Sequence, residues 1–335
     1  MDLVTEIREK AKSKQKKLVL PEGTDPRTLK AARMIVDAAF ASSVTVLGRE
    51  SEVRKLAAAE GFDFSGLGGL NILDPAGSGN IERYANEFYE LRKHKGMTME
   101  QARADILAPL RWGAMMLRLG DVDAMVSGAA NTTADVLRAG LSIIGTKPGI
   151  KTASSQYIIH TDDPSWGAKG YFIFSDCAVV PDPNAEQLAD IAISSAQSCR
   201  DFLGAEPVVA LLSFSTKGSG GDHPNVVKVR EALSIVKSRE PGLLIDGEIQ
   251  VDAALVSSVL DKKAPGSPIR GKVNTMVFPD LQSGNIGIKL IQRIGKIDGF
   301  GPFLQGFAKP ISDLSRGTTV EEIVNTCAFI LAQVK

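Results

Sequence analysis

Short apolar runs alternate with stretches of helical periodicity through the first half of the chain. The runs "KKLVL", "VTVLG" and "LNILDP" are separated by "RTLKAARMIVDAAF" and "ESEVRKLAAAEG". Runs short enough for one strand, spaced by amphipathic helices, are the pattern of βαβ units on a parallel sheet. From Thr98 a longer helical region follows. "TMEQ" predicts a capping box, in which the threonine side chain accepts a backbone N–H and the glutamine reaches back, and "ARADILAPLRWGAMMLRLG" continues with an interruption at Pro109. "DAMVSGAANTTADVLRAGLSII" then reads strand, loop, helix.

After "GTKPGI" the pattern changes. "TASSQYIIH" and "GYFIFSDCAVVP" predict paired strands across the turn-rich "TDDPSWGAKG", which places a domain boundary near Pro148. Alternation then resumes, with strands in "PVVALLSF", "GLLIDG" and "VNTMVFPD", helices after the second and third, and a glycine-rich loop after the first. A last helix is expected from about Thr319 to Val334. Thr319 and Glu322 repeat the capping-box spacing, and Ile323, Cys327, Ile330 and Leu331 form an apolar stripe that has to pack against a partner. A length of 335 residues is large for one core and favours two α/β domains.

Composition removes several function classes. Lys plus Arg and Asp plus Glu balance at 39 each, which argues against a general nucleic-acid binder but leaves room for a local anion pocket. No apolar run approaches the roughly 18 residues that a membrane span needs. "MDLVTEIREKAKSKQKKLVLPEG" carries acidic residues and no apolar h-region, so a cytoplasmic location is expected. Cys177, Cys199 and Cys327 are sparse and far apart, which fits reduced core thiols. With only His94, His160 and His223 and neither HExxH nor CxxC, no protein-built metal site is expected.

The candidate chemistry lies in four segments that follow strands: "VSGAANTTADVLR", "SFSTKGSGGDHPN", "FPDLQSGNIGIK" and "DLSRGTTVEE". In open α/β sheets ligands bind beyond the carboxyl ends of the strands, where helix N-termini offer backbone N–H groups to anions. Ser127, Gly128, Asn131, Thr132 and Thr133 supply donors in the first, with Arg138 about a turn and a half into the helix as a bidentate grip for phosphate or carboxylate. Gly284, Asn285 and Lys289 supply the third. Taken singly, such a segment reads first as a capped helix with a surface cation; four together shift the balance modestly toward an extended, phosphate-bearing ligand. No GxGxxG is present, and "GLSIIGTK" has its Thr and Lys in the wrong order for a P-loop and follows a helix. "LRKHKG" reads as a solvated basic face from which Arg92 can reach into a cleft, and "TDDPSW" is turn chemistry beside His160.

The chain resembles the phosphate acetyltransferases essentially from end to end. The resemblance is carried by "LRKHKGMT", "ILAPLRWGAMMLRLGDVDAMVSGAANTTADVLRAGLSIIGTKPG", "DDPSWGAKGYFIFSDCAVVPDPNAEQLADIAI", "LLSFSTKGS", "FPDLQSGNIGIK" and "QGFAKPISDLSRG". It implies reversible acetyl transfer between acetyl phosphate and coenzyme A in a homodimer, within acetate metabolism, with no tightly bound cofactor and with small molecules as partners. It also implies two α/β/α domains around a cleft that holds the active site, a fold similar to that of isocitrate and isopropylmalate dehydrogenases. The C-terminal segment would return to the first domain, giving residues 1–148 with 303–335 and residues 149–302. Carried over residue by residue, the family's catalytic serine and arginine fall on Ser315 and Arg316, its further active-site arginines on Arg92 and Arg138, and its catalytic aspartate on Glu322. Glu322 is thus a departure by one methylene. Ile288, where tyrosine is common, and Thr318, where cysteine is common, are two more. Neither is expected to touch a catalytic residue, while Ile288 is expected to alter how coenzyme A packs.

The mechanism expected from this pattern is direct attack of the coenzyme A thiol on acetyl phosphate in a ternary complex, with Glu322 taking the thiol proton, Ser315 bonding the developing charge and Arg316 holding the phosphate. Carboxyl groups titrate near 4.3 and thiols near 8.5 in water, so complete ground-state transfer is uphill by roughly 5–6 kcal/mol and the proton has to move as the thiol attacks. A capping-box glutamate spends its carboxylate on the backbone, so cap and base compete for Glu322. Alternative readings are a phosphate acyltransferase for butyryl or another short acyl group, which differ by about 1–3 kcal/mol of pocket binding, and a non-catalytic acetyl-CoA-binding module. A dehydrogenase is disfavoured by the missing nicotinamide fingerprint.

Overall fold

A computed structural model describes residues 2–334 apart from Ser65 and Leu67. In chain order the strands of the described residues are β1 Lys17–Leu20, β2 Ser43–Leu47, β3 Leu70–Leu73, β4 Ala124–Ser127, β5 Ser154–His160, β6 Tyr171–Ser175, β7 Val208–Leu212, β8 Leu244–Ile249, β9 Thr275–Val277, β10 Asp298–Gln305 and β11 Ile311–Asp313. The chain is α/β and divides into two compact units, one formed by the residues up to Lys147 with those from Phe307 onward, the other by Pro148–Gly306.

The first unit holds a parallel sheet in the order β11-β4-β1-β2-β3. Its strands are buried on both faces, which is why Leu18, Val19 and Leu20 read as an unbroken apolar run instead of an alternating one. Both capping boxes form, Thr98 with Gln101 and Thr319 with Glu322, and Pro109 opens a new helix, Pro109–Leu119, instead of kinking the preceding one, Met99–Asp105. The last helix, Val320–Gln333, buries Ile323, Cys327, Ile330 and Leu331 completely. It packs on the helices Leu3–Lys14 and Pro26–Asp37 and on β4. Each such side chain contributes about 1.5–3 kcal/mol by leaving water, so the C-terminal segment is anchored in the first unit both by this stripe and by the pairing of β11 with β4.

The second unit holds the sheet β10-β5-β6-β9-β7-β8. β5 pairs antiparallel with β6, as the turn-rich connection predicts, and with β10, while the other pairs are parallel. Strand β10 is an addition to the sequence reading; Gly299, Gly301 and Pro302 disguise it, and the register shifts between Phe300 and Phe303. Ile288 lies in the apolar core of this unit with no exposed surface, in one cluster with Phe278 and Met276, so the expectation that it shapes coenzyme A packing is corrected. All three cysteines are free and buried. None of the described helices is long and apolar enough to cross a membrane.

Candidate active site

At the carboxyl end of the first unit's sheet, β11 delivers Asp313 and then the exposed turn Ser315, Arg316, Gly317. Ser315 starts the turn: its carbonyl accepts the Thr318 N–H at 2.9 Å, and its Oγ accepts the Gly317 N–H at 3.3 Å. The side chain of Arg316 is exposed and makes no ion pair among the described residues. Glu322 closes the capping box, its Oε2 accepting the Thr319 N–H at 2.8 Å and the Thr318 hydroxyl at 3.2 Å, while the Thr319 hydroxyl accepts the Glu322 N–H at 3.2 Å. Thr318 therefore touches the carboxylate assigned to catalysis, which corrects the expectation that this departure from the family pattern stands apart from it. Hydroxyl, guanidinium and carboxylate all belong to one turn and the first turn of the helix that follows.

The neighbouring loop after β4 is organised differently from the sequence reading. Glu22, buried just after β1, inserts its carboxylate into the loop: Oε2 accepts the N–H groups of Gly128 and Ala129, each at 2.9 Å, and Oε1 accepts those of Ala130 at 2.9 Å and Asn131 at 2.8 Å. The Asn131 side-chain amide adds a fifth donor at 2.7 Å. The nest of backbone donors expected to hold a substrate anion is thus filled by the protein's own carboxylate. Gly128 takes a φ of +121° there, and a Cβ would stand 2.6 Å from both N and O of Leu314, so the residue is needed for close approach of the two loops.

The hydroxyls of Thr132 and Thr133 are also engaged. Thr132 caps the helix Thr133–Ala139, its Oγ1 accepting the Asp135 N–H at 3.2 Å and donating to the Asp135 carboxylate at 2.7 Å. Thr133 donates to Asp313 Oδ2 at 2.5 Å, and Ser127 Oγ is buried without a hydrogen-bond partner among the described residues. Gly128, Asn131, Thr132 and Thr133 thus spend these donors on the structure of the loop itself. Arg138 stays largely exposed and pairs with Asp135 at 2.5 Å, an i,i+3 pair of the kind that yields readily to a stronger anion. Arg92 ends the helix Ile81–Arg92, half-buried and without an ion pair among the described residues.

Gly284, Asn285 and Lys289 belong to the second unit, and they sit inside the helix Leu281–Arg293 instead of in a loop. Gly284 packs against the Asp176–Cys177 backbone, where a Cβ would come within 3.4 Å of the Cys177 Cα, and the Asn285 amide donates to the Cys177 carbonyl at 3.1 Å. Of the three, Lys289 presents an exposed group without a partner among the described residues. In the glycine-rich loop after β7 the buried carboxylate of Glu248 accepts the Gly218 N–H at 2.7 Å, the Ser215 hydroxyl at 3.0 Å and Arg230 Nε at 3.1 Å. Lys217 is held at 2.5 Å by Asp246. No group of three or more His, Cys, Asp and Glu among the described residues has the arrangement of a metal site.

Three residues absent from the sequence reading shape the site: Glu22, Arg27 and Asp313. Glu22 and Arg27 both lie in "PEGTDPR", which looks like an ordinary proline and glycine turn. The available signal is position alone, a carboxylate directly after the central strand of a parallel sheet. Asp313 is buried, and with Oδ1 lacking a hydrogen-bond partner among the described residues, burial pushes its carboxyl up to about 6 against the Thr133 hydrogen bond, with Glu22 adding to the rise.

Comparison with known proteins supplies the chemical context. The family model described as phosphate acetyl/butaryl transferase matches residues 2–331. The chain is 55% identical over 335 residues to a phosphate acetyltransferase of Treponema pallidum (strain Nichols), covering 99% of both chains. It is 49% identical over 333 residues to a phosphate acetyltransferase of Thermoanaerobacterium thermosaccharolyticum, again covering 99% of each. Among solved structures, a phosphotransacetylase from Streptococcus pyogenes superposes with a TM-score of 0.91 at 41% identity, over 99% of this chain and 98% of that one. A 4-hydroxythreonine-4-phosphate dehydrogenase from Klebsiella pneumoniae shares the fold alone, at 13% identity and a TM-score of 0.52, over 95% of this chain and 98% of that one.

Proposed function

The chain belongs to the phosphate acetyl/butaryl transferase family and is an acyltransferase that moves an acetyl group reversibly between acetyl phosphate and coenzyme A; from that premise we propose that Ser315, Arg316 and Glu322 carry the reaction. The observation behind this reading is that an exposed turn presents a hydroxyl and a guanidinium without an ion pair among the described residues, and that the first turn of the helix after it presents a carboxylate with one oxygen open. Cap and base divide between the two oxygens of Glu322: Oε2 holds the Thr319 N–H, and Oε1, without a hydrogen bond among the described residues, receives the thiol proton.

The sulfur of coenzyme A attacks the carbonyl carbon of acetyl phosphate in a ternary complex. As the carbon–sulfur bond forms, the proton passes to Glu322, and collapse of the tetrahedral centre breaks the carbon–oxygen bond and releases phosphate. Ser315 donates to the oxygen on which charge develops, and Arg316 holds the phosphate through bidentate contacts. Arg138, released from Asp135, and Arg92 assist with the anionic groups of the two substrates, and Lys289 is a further cation for coenzyme A.

The wider reading takes each of the two units as an α/β/α domain of the isocitrate and isopropylmalate dehydrogenase-like fold. The likeness to a 4-hydroxythreonine-4-phosphate dehydrogenase is one of fold alone. No tightly bound cofactor enters the scheme, the partners are small molecules, and the location is cytoplasmic. A homodimer is part of the same reading. Ile286, Leu290 and Ile294 form an i, i+4, i+8 stripe that is 57%, 51% and 77% exposed, an apolar face suited to a self-complementary contact.

The test is thioester formation from acetyl phosphate and coenzyme A, followed spectroscopically. Ser315→Ala is expected to lower kcat about 10²-fold by removing a transition-state donor, and Arg316→Gln to raise the Michaelis constant for acetyl phosphate while the protein stays folded. Unchanged constants in both variants would sink the assignment. Butyryl phosphate in the same assay decides acyl preference.

A further inference from the structure

The guanidinium of Arg27 is shared between the catalytic turn and the loop after β4. Its Nη1 donates to the carbonyls of Arg316 at 2.8 Å and Thr318 at 3.0 Å, and its Nη2 donates to the carbonyl of Ala129 at 2.7 Å. The remaining capacity is spent on Asp25, which accepts from Nη2 at 2.7 Å and from Nε at 3.1 Å. Asp25 is itself fixed, because it caps the helix Pro26–Asp37 and accepts the Arg27 N–H at 2.8 Å. The side chain is 31% exposed, so it sits at the edge of the site and not in the core.

We infer that Arg27 is a positioning residue for this reaction: it fixes the backbone of the Ser315–Thr318 turn, and so aims the Ser315 hydroxyl and the Arg316 guanidinium. The inference rests on the reading of Ser315 and Arg316 as the catalytic pair. The physical argument is one of geometry. An exposed turn with a glycine at its centre has few internal restraints, since Ser315 supplies only one backbone and one side-chain hydrogen bond within it. The planar fork of an arginine satisfies carbonyls on both sides of the turn at once, and it stays charged at every working pH. Lysine, a point charge with three rotatable donors, cannot reproduce contacts to Arg316, Thr318 and Ala129 while pairing with Asp25. Arg27 thereby acts on catalysis through other residues and touches no reacting atom.

The experiment compares Arg27→Ala, Arg27→Lys and Ser315→Ala with the parent chain by two measurements: amide hydrogen exchange of the peptide covering residues 314–319, and steady-state acetyl transfer. In both Arg27 variants exchange in that peptide is expected to quicken selectively, and kcat to fall about 10²-fold, the scale of an ångström-level misplacement. Millimolar guanidinium ion is expected to restore part of the kcat of Arg27→Ala and none of that of Ser315→Ala, a rescue that mere destabilisation would not show. Unchanged exchange at 314–319, or a kcat within a few-fold of the parent in both Arg27 variants beside an inactive Ser315→Ala, overturns the inference. A fully active Ser315→Ala instead places the failure in the catalytic assignment. Arg27→Lys keeps the test valid if Arg27→Ala does not fold.

Discussion

Asn131 donates twice to the same oxygen of Glu22, through its backbone N–H at 2.8 Å and its side-chain amide at 2.7 Å. With the three further N–H groups of residues 128–130, the buried carboxylate serves as an internal anion that folds the loop around itself. A neutral amide of the same shape offers one acceptor oxygen in place of two and turns an NH₂ group toward N–H donors. Glu22→Gln is therefore expected to destabilise the first unit by about 3 kcal/mol or more, the cost of leaving buried donors without acceptors. Denaturant unfolding read by exchange of residues 124–140 checks this, and a loss well under 1 kcal/mol would refute the nest.

Glu322 answers a different question. Gln can occupy the third helical position of a capping box, as Gln101 and Gln187 do in this same chain. Glu322→Gln is accordingly expected to unfold within about 0.5 kcal/mol of the parent, because its carbonyl oxygen still accepts the Thr319 N–H, while kcat falls about 10²-fold for want of a base. Thr319→Ala should do the reverse, costing about 1 kcal/mol of stability with turnover retained. Near-normal turnover in Glu322→Gln would reduce the residue to its cap.

The family's tyrosine placed at Ile288 is expected to act on folding. Ile288 is fully buried in one apolar cluster with Phe278 and Met276, and a larger ring with a hydroxyl adds volume and a polar group to that core. Ile288→Tyr should cost about 1–3 kcal/mol through overpacking, with the Michaelis constant for coenzyme A unmoved. A changed coenzyme A constant at parental stability would restore the sequence expectation.

Elements with strong periodicity were legible in the sequence. The central strands of both sheets, the boxes at Thr98 and Thr319 and the buried stripe of the last helix follow from apolar spacing and capping chemistry, which are local. Strand β10 escaped because Gly299, Gly301 and Pro302 oppose strand propensity and pairing with β5 overrides it. The site was half legible. Ser315 and Arg316 lie in one turn and Glu322 in the first turn of the helix after it, while the acceptor of the loop N–H groups at 128–131, Glu22, is more than 100 residues away in sequence. Asp176 repeats the arrangement in the second unit, accepting the N–H groups of Ala178, Val179 and Val180, and Glu248 repeats it for Gly218. Small and polar residues after a strand signal a nest of donors. They do not say whether the anion that fills it is a substrate or a distant carboxylate.

Asp313 carries a prediction with a defined sign. Burial raises its folded-state pKa from 3.8 to about 6, so the ionised form is the one the fold disfavours. Below about pH 4 the group is protonated in both folded and unfolded chains and contributes no penalty. Between there and about pH 6 the unfolded chain has lost the proton that the folded chain keeps, so stability falls as pH rises, and above about pH 6 the penalty is complete. A shift of this size corresponds to roughly 3 kcal/mol. Asp313→Asn keeps an oxygen for the Thr133 hydroxyl and carries no charge. Relative to the parent it is expected to gain stability at pH 8 by up to about 3 kcal/mol, and to lose that advantage as the pH is lowered through 6 toward 4. Urea unfolding of both chains at pH 8, 6 and 4 measures it. A gain that is the same at every pH would mean that packing and not charge governs the residue, and no gain at pH 8 would mean that its carboxylate is solvated by neighbours better than its burial implies.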